Sequence, residues 1–500
     1  MIKLAKIWLL IIFLIISAFA CKISQSYSFS IHFVDEEDHI IFAQYINQNY
    51  KLYTGLSSNH QPIPYLFSAV VQKVSSPPNM PMLIKRHRQA IFLYTFIWGS
   101  ILVYFFRWQG LSAWTVIEML KYSLLGNQVL AESLALYPAM FIFFYTLQML
   151  WSKKNIPKIY LYFLGLSIFI CGFNLVPLWP FLLLILIIWI YRIKKDSLPI
   201  IAGIIMPTFL LFCLINPLDW YRETIYNNTV YAMPQLNSLK TPLQKASLLV
   251  LPFLVWNRPW FSQTMAITMG FIIFGVSLWM VRKEKKKLSL ILFIYLVAII
   301  SNTRVNNPSA TIYEGFHLLP WLGIWIVFTI FLFNNVILVS KYKLVAEVLG
   351  FIAFIILFSN RSMPYFETKD TATEYYINYS NFEDYARILQ ILHQPQDRLA
   401  VLTSESLIYW NTGMKPATRQ IVYYPWEESV PDLKKDYQDM LTINMPEFVY
   451  GSREQSLTLH NYINVIKNDK VTELFVRIDR TKQITPEQLE AIKQFGFSIK

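Results

Sequence analysis

A stretch of about twenty residues without a single charge has few places to go in a folded chain, and the bilayer interior is the commonest of them. This 500-residue chain has several: Ala90 to Phe106, Ser133 to Ser152 and Pro259 to Val281 carry no acidic or basic residue and approach that length. Composition agrees, with 55% apolar, 16% aromatic and only 15% charged residues, against roughly 25% charged in soluble proteins. In lipid the backbone must satisfy its own hydrogen bonds, and runs of this length do so as helices. From Arg361 onward the composition is that of soluble protein. Cys21, Cys171 and Cys213 offer neither a disulfide framework nor metal-ligand spacing.

The net charge of +13 invites a polyanion such as nucleic acid, but its distribution says otherwise. Short basic segments lie between the apolar runs: Lys3 and Lys6; Arg107; Lys153, Lys154 and Lys158; Arg192, Lys194 and Lys195; Arg282 to Lys287; Lys341 and Lys343. With Asp196 and Glu284 included they carry a net of +14. The rest of the chain is close to neutral, so the excess reports membrane orientation through the positive-inside rule and no nucleic-acid partner is expected.

With those segments on the inner side, the expected spans are about 7–23, 90–106, 111–125, 133–151, a hairpin through 159–191 broken at Gly172, Asn174, Pro177 and Pro180, then 198–215, 262–281, 288–301, 316–333 and 344–358. The expected fold is an α-helical polytopic membrane protein of about eleven transmembrane helices, N-terminus in and C-terminus out, with a small external α/β C-terminal domain. The expected domains are 1–360, with external loops about 24–89 and 216–261, and 361–500. Ala246 to Trp256 within the second loop suits an interfacial or re-entrant helix. Glu118 and Lys121, three apart inside the third span, are placed to pair within the bundle.

At the N-terminus Lys3, Lys6, an apolar core and Ala18, Phe19, Ala20 also fit a cleavable signal peptide. An uncleaved span suits Trp8 and the length of the run, and either way Asp35 lies outside. In the tail, Leu399–Thr403, Gln420–Tyr424, Glu447–Tyr450 and Glu473–Ile478 are expected strands between helical segments. The last helix is signed by Thr485 as N-cap, Pro486, Gln488 closing a capping box, Ile484 with Leu489 as a staple, and Gly496 after the end. The tail is expected to pack over the first loop.

That loop opens on four consecutive carboxylates, Asp35, Glu36, Glu37 and Asp38, ahead of the helical pattern of Ile40, Ile41, Ala43, Tyr45 and Ile46. One explanation is a solvated helix start in which Asp35 caps the helix and the acids complement its dipole. Another gains from the residues farther along the loop: Tyr53, Gly55, then His60, Gln61, Pro62, Ile63, Pro64, Tyr65, and finally Lys85, Arg86, His87, Arg88 at the second span. Basic residues on the outer face need compensation, from a phosphate, from neighbouring acids, or by snorkelling to headgroups.

On these residues the chain resembles the multi-spanning C-type glycosyltransferases, which include protein mannosyltransferases and the bacterial aminoarabinose transferase. In that family the first external loop begins with an Asp-Glu pair, matched by Asp35 and Glu36. A Pro-rich element ending in Tyr comes next, matched loosely by Pro62, Ile63, Pro64 and Tyr65, and Arg88 fits the basic residue opening the second span. The proline pair is interrupted here, and Gln61 stands where a first proline is expected.

The resemblance implies transfer of a sugar from a polyprenyl-phosphate carrier to a lipid, protein or glycan acceptor at the outer face of the cell membrane. Such a reaction needs a carboxylate to take the acceptor's proton and fixed positive charge for the departing phosphate. Asp35 is then the general base, Glu36 orients it or the acceptor, and direct attack inverts the anomeric centre. Expected substrate-binding residues are His60, Arg86, Arg88, Glu132, which meets the family's second acidic position, Arg258 facing the carrier phosphate, Arg304 and His317. A monophosphate carrier can be handled by Arg and Lys alone, so no obligatory metal is expected, although the acidic cluster leaves room for a divalent ion. The alternatives are a polytopic transporter using Glu118, Lys121 and Glu347, or a cell-envelope polysaccharide assembly protein.

Overall fold

The computed structural model describes residues 2–151, 157–193, 197–234, 261–301, 315–340, 370–380, 382–403, 405–451 and 461–499, with a few isolated positions between 343 and 352. The chain divides into two compact units, one of residues 1–28, 87–213 and 240–369, the other of residues 29–86, 214–239 and 370–500.

The first unit is a helical bundle. Six helices among the described residues are long and apolar enough to cross a membrane: Lys6–Ser26, Met80–Phe106, Ala131–Trp151, Val176–Ile193, Gln263–Val281 and Phe316–Ile337. A seventh counts if Leu198–Leu214 and Pro217–Ala232 are one broken span. The expected third span is a helix of 13 residues, Trp108–Leu120, about 20 Å long and so short of a hydrocarbon core of about 30 Å. It continues as the 3-10 turn Lys121–Leu124. The expected ninth span is the 16-residue helix Lys285–Ile300. The break inside 159–191 falls where its residues signal it, between the helix ending at Gly172 and the one starting at Trp179. Ala246 to Trp256 and most of 344–358 lie outside the described residues.

Two helices form the centre of the bundle: 89% of the Ala131–Trp151 window and 78% of the Phe316–Ile337 window is buried, against 28–39% for the other four spans. Trp325 stacks on Trp321 and packs with Phe271 and Phe328, while its indole N–H donates to the Ile267 carbonyl at 3.2 Å. The central Ala131–Trp151 helix contains Pro138, whose missing N–H leaves the Leu134 carbonyl without its helical donor. The Tyr94 hydroxyl fills that place at 2.5 Å, as a carbonyl buried away from water requires.

The second unit is built on a six-stranded mixed sheet of order β2-β1-β3-β5-β4-β6. Its strands are β1 (Arg398–Val401), β2 (Lys415–Pro416), β3 (Phe448–Tyr450), β4 (Tyr462–Lys467), β5 (Lys470–Arg477) and β6 (Phe497–Ile499). Pairing is parallel for β2-β1-β3 and antiparallel from β3 onward. The β4–β5 hairpin turns on Asn468 and Asp469, both with positive φ, as a two-residue turn of right-handed twist demands.

Three of the four runs expected as strands are strands. Gln420–Tyr424 is not: after one bridge from Gln420 to Ser57 the chain turns. The buried Glu427 carboxylate takes the Tyr424 N–H at 2.7 Å and the Gln420 side-chain amide at 3.1 Å, so this segment folds back on itself. The last helix, Pro486–Lys493, carries the expected capping box of Thr485 and Gln488.

Residues of the first loop belong to this same unit. Helix Val34–Asn47 packs on helix Pro62–Ser75, the Tyr45 hydroxyl donates to the Met414 carbonyl at 2.7 Å, and the Ser57 N–H donates to the Arg419 carbonyl at 2.8 Å.

In the first unit, helices Lys158–Gly172 and Leu198–Leu214 cross at Gly165 and Gly203, where a Cβ on either would collide with a backbone carbonyl of the other helix. Overpacking of this kind costs about 1–3 kcal/mol or more. Gly203→Leu is expected to lower the melting temperature of the detergent-purified protein, read by thermal-shift size-exclusion; a wild-type melting temperature would contradict the close crossing.

Candidate functional site

The acidic run does not form a solvated helix start. Phe33, extended at φ −144° and ψ 130°, occupies the N-cap with no side-chain bond, so Asp35 lies in the first turn and caps nothing. Asp35, Glu36 and Glu37 fall where the helix dipole favours negative charge. Glu36, Glu37, Asp38 and His39 are all buried, while Asp35 is half-buried.

Buried carboxylates need partners. Glu37 accepts from the Ser406 hydroxyl and the Leu407 N–H, each at 3.2 Å, and its other oxygen meets His32 Nε2. Burial pushes its pKa well above the ordinary carboxylate range, against the opposing pull of the Leu407 and Ser406 bonds. Asp38 Oδ2 accepts from the Tyr65 hydroxyl at 2.7 Å and lies 3.2 Å from His60 Nδ1. The turn bearing His60 is itself pinned: the Tyr53 hydroxyl donates to the His60 carbonyl at 2.8 Å and the His60 N–H donates to Ser58 Oγ at 3.1 Å. Ser58 also bonds Tyr65. Burial and then the Asp38 charge hold the Tyr65 phenol well above its usual pKa, so it stays a donor. Tyr424 is raised too, by burial first and then by the fields of Asp38, Asp35 and Glu427.

Among the four consecutive carboxylates, Glu37 and Asp38 are therefore committed to holding the unit together, and Asp35 has the most open position. A second cluster of the same unit centres on buried Glu223, which accepts from Ser57 at 2.9 Å and Asn227 at 3.2 Å and pairs with Arg419 at 3.3 Å. Arg419 is shared with Asp436 at 2.7 Å. Nothing in the sequence marks the Glu223–Arg419 pair, whose members lie 196 residues apart.

Of the other expected site residues, His60 and Arg86 are in this unit and partly exposed. Arg88 belongs to the helical bundle and is buried, its Nε–H donating to the Ser28 carbonyl at 3.1 Å, so it does not snorkel to headgroups. Two further candidates meet each other in the bundle: Glu132, in the first turn of Ala131–Trp151, lies 2.7 Å from His317 Nδ1. Arg258 and Arg304 lie outside the described residues. Glu118 and Lys121 pair at 2.7 Å, as their spacing implies, and Glu118 also accepts from Tyr137 while Lys121 donates to Thr95 at 3.3 Å. Glu347 pairs with Lys343 at 3.7 Å.

A polytopic helical membrane chain with this sheet-bearing second unit defines a class of fold before any sequence likeness is invoked. No family model matches the chain, and a search of curated proteins finds no relative. Among solved structures it is similar to the crystal structure of ArnT from Cupriavidus metallidurans bound to undecaprenyl phosphate. The TM-score is 0.55 at 10% sequence identity, covering 93% of this chain and 97% of that one. The chain thus shares the fold of that ArnT structure.

The Glu37 contacts generate a direct test. Glu37→Ala strands the Leu407 N–H and Ser406 hydroxyl and is expected to destabilise the protein by about 1–3 kcal/mol, while Glu37→Gln, which keeps an acceptor, retains most of the melting temperature. Equal behaviour of the two variants would contradict the role assigned to these bonds.

Proposed function

We propose that this protein is a membrane glycosyltransferase that moves a sugar from a polyprenyl-phosphate carrier to an acceptor on the external face of the cell membrane. The observation that carries the proposal is the fold likeness, along nearly the whole of both chains, to a transferase captured with undecaprenyl phosphate. In this reading the chain runs N-terminus in and C-terminus out through about eleven spans, with residues 1–360 as the transmembrane part and 361–500 as an external domain.

Asp35 is the general base. Its carboxylate takes the proton of the acceptor nucleophile as that atom attacks the anomeric carbon, and the phosphate of the carrier leaves from the opposite side, inverting the centre. One base and one leaving group suffice, so no nucleophilic carboxylate is needed, unlike a retaining glycosidase. The half-buried position of Asp35, beside acids already committed to structural bonds, supports its choice. Glu36 orients Asp35 or the acceptor. Arg86, Arg88, Arg258 and Arg304 supply positive charge to the departing phosphate, while His60 and the Glu132–His317 pair contact the substrate. Arg and Lys can serve a monophosphate without an obligatory metal. The mutual pairing of Glu118 with Lys121 supports a structural role for charges that a transporter would use.

Purified protein incubated with a panel of polyprenyl-phosphate sugars is expected to consume one of them. Asp35→Asn should lower that rate at least about 100-fold with expression and melting temperature unchanged. Undiminished turnover in the variant would remove Asp35 from the mechanism.

A further inference from the structure

Three donor groups outside the assigned base converge at the heart of the second unit. Asp38, His39 and His60 each offer one ligand atom, and these atoms lie within 4.8 Å of one another. Asp38 and His39 are neighbours near the start of helix Val34–Asn47, and His60 comes from the turn before helix Pro62–Ser75, so the group joins two segments that only folding brings together.

We infer that Asp38, His39 and His60 form a binding site for a divalent transition-metal ion, with zinc the best-matched probe. Two imidazoles and one carboxylate are a borderline donor set that suits zinc and its neighbours rather than calcium or magnesium, which take oxygen ligands. The geometry is close to what such an ion needs. At ligand distances of about 2.0–2.1 Å, the donors around tetrahedral zinc stand about 3.3 Å apart, and Asp38 Oδ2 lies 3.2 Å from His60 Nδ1. The outer limit of 4.8 Å leaves at most about 1.5 Å for a ring rotation to close, measured against that tetrahedral spacing.

The surroundings are built as metal sites are built, with partners that fix the ligands from behind. The Tyr65 hydroxyl donates to Asp38, and Ser58 bonds Tyr65. Tyr53 holds the carbonyl of His60, and Ser58 accepts the N–H of the same residue. The His39 ring packs edge-on to Tyr65, with centroids 5.0 Å apart, and lies 5.5 Å from the His60 ring. Asp38 and His39 are buried, whereas the His60 side chain is 25% exposed and gives an ion a way in. Three protein ligands leave a coordination position for water or an incoming anion, the arrangement of sites that act on a ligand rather than merely brace a fold. The inference goes beyond the transferase reading and stands on this cluster alone. An ion here would be read without any sugar donor.

The test is direct metal binding by the full-length, tag-free protein in detergent, stripped with a chelator and titrated with zinc chloride against a chromophoric competitor. One equivalent is expected, with magnesium and calcium unable to displace it. Asp38→Asn and His39→Ala should each weaken binding at least about tenfold, and Tyr65→Phe, which touches only the ligand's partner, about tenfold. Binding of no zinc by the wild type, or full affinity in a His39→Ala, His60→Ala double variant, would overturn the inference. Should the variants not fold, cobalt added to the wild type decides: visible absorption that an equimolar amount of zinc abolishes supports the site, and a spectrum identical to cobalt in buffer refutes it.

Discussion

Taking a carboxylate out of water is costly unless the fold supplies it with donors, and this chain does so repeatedly within thirty residues of its first span. Glu37 reaches forward almost the length of the chain to Ser406 and Leu407, and Asp38 is gripped by Tyr65 and His60. Glu223 collects Ser57, Asn227 and Arg419 in the same way. These bonds make the first loop, residues 214–239 and the tail one compact unit, in which Asp35 is the most exposed of the four consecutive carboxylates.

The helical bundle answers a different constraint with the same logic. Its two central helices are surrounded by protein, and where Pro138 frees a carbonyl, Tyr94 supplies the donor that water would supply elsewhere. Charges admitted to the bundle come with partners, Glu118 with Lys121 and Tyr137, Glu132 with His317. Of these, the Glu132–His317 pair joins residues that sequence reasoning singled out separately and assigned to substrate.

Much of this was legible because it is local. Uncharged runs announce spans, the gap at Gly172 to Pro177 announces a break, and the Thr485–Gln488 capping box is read directly from its spacing. The fold class was legible too, through Asp35, Glu36 and the Pro62 to Tyr65 element. What escaped depended on distance. A solvated cap at Asp35 is the natural reading of four acids before a helix, and only the tail, hundreds of residues on, shows why Glu37 is buried. Gln420–Tyr424 has the composition of a strand, yet Glu427 draws its N–H away. Strand β4 escaped as well, since the apolar residues of Tyr462 to Lys467 do not alternate, and the local signal is the Asn468–Asp469 turn that follows it.

The central claim is that the unit bearing Asp35 meets its substrates outside the cell. In a chain whose three cysteines are replaced by serine, a single cysteine at exposed Lys51 reports which side that is. A membrane-impermeant maleimide added to intact spheroplasts is expected to label Lys51→Cys fully. Labelling that appears only after the membrane is permeabilised would contradict the account.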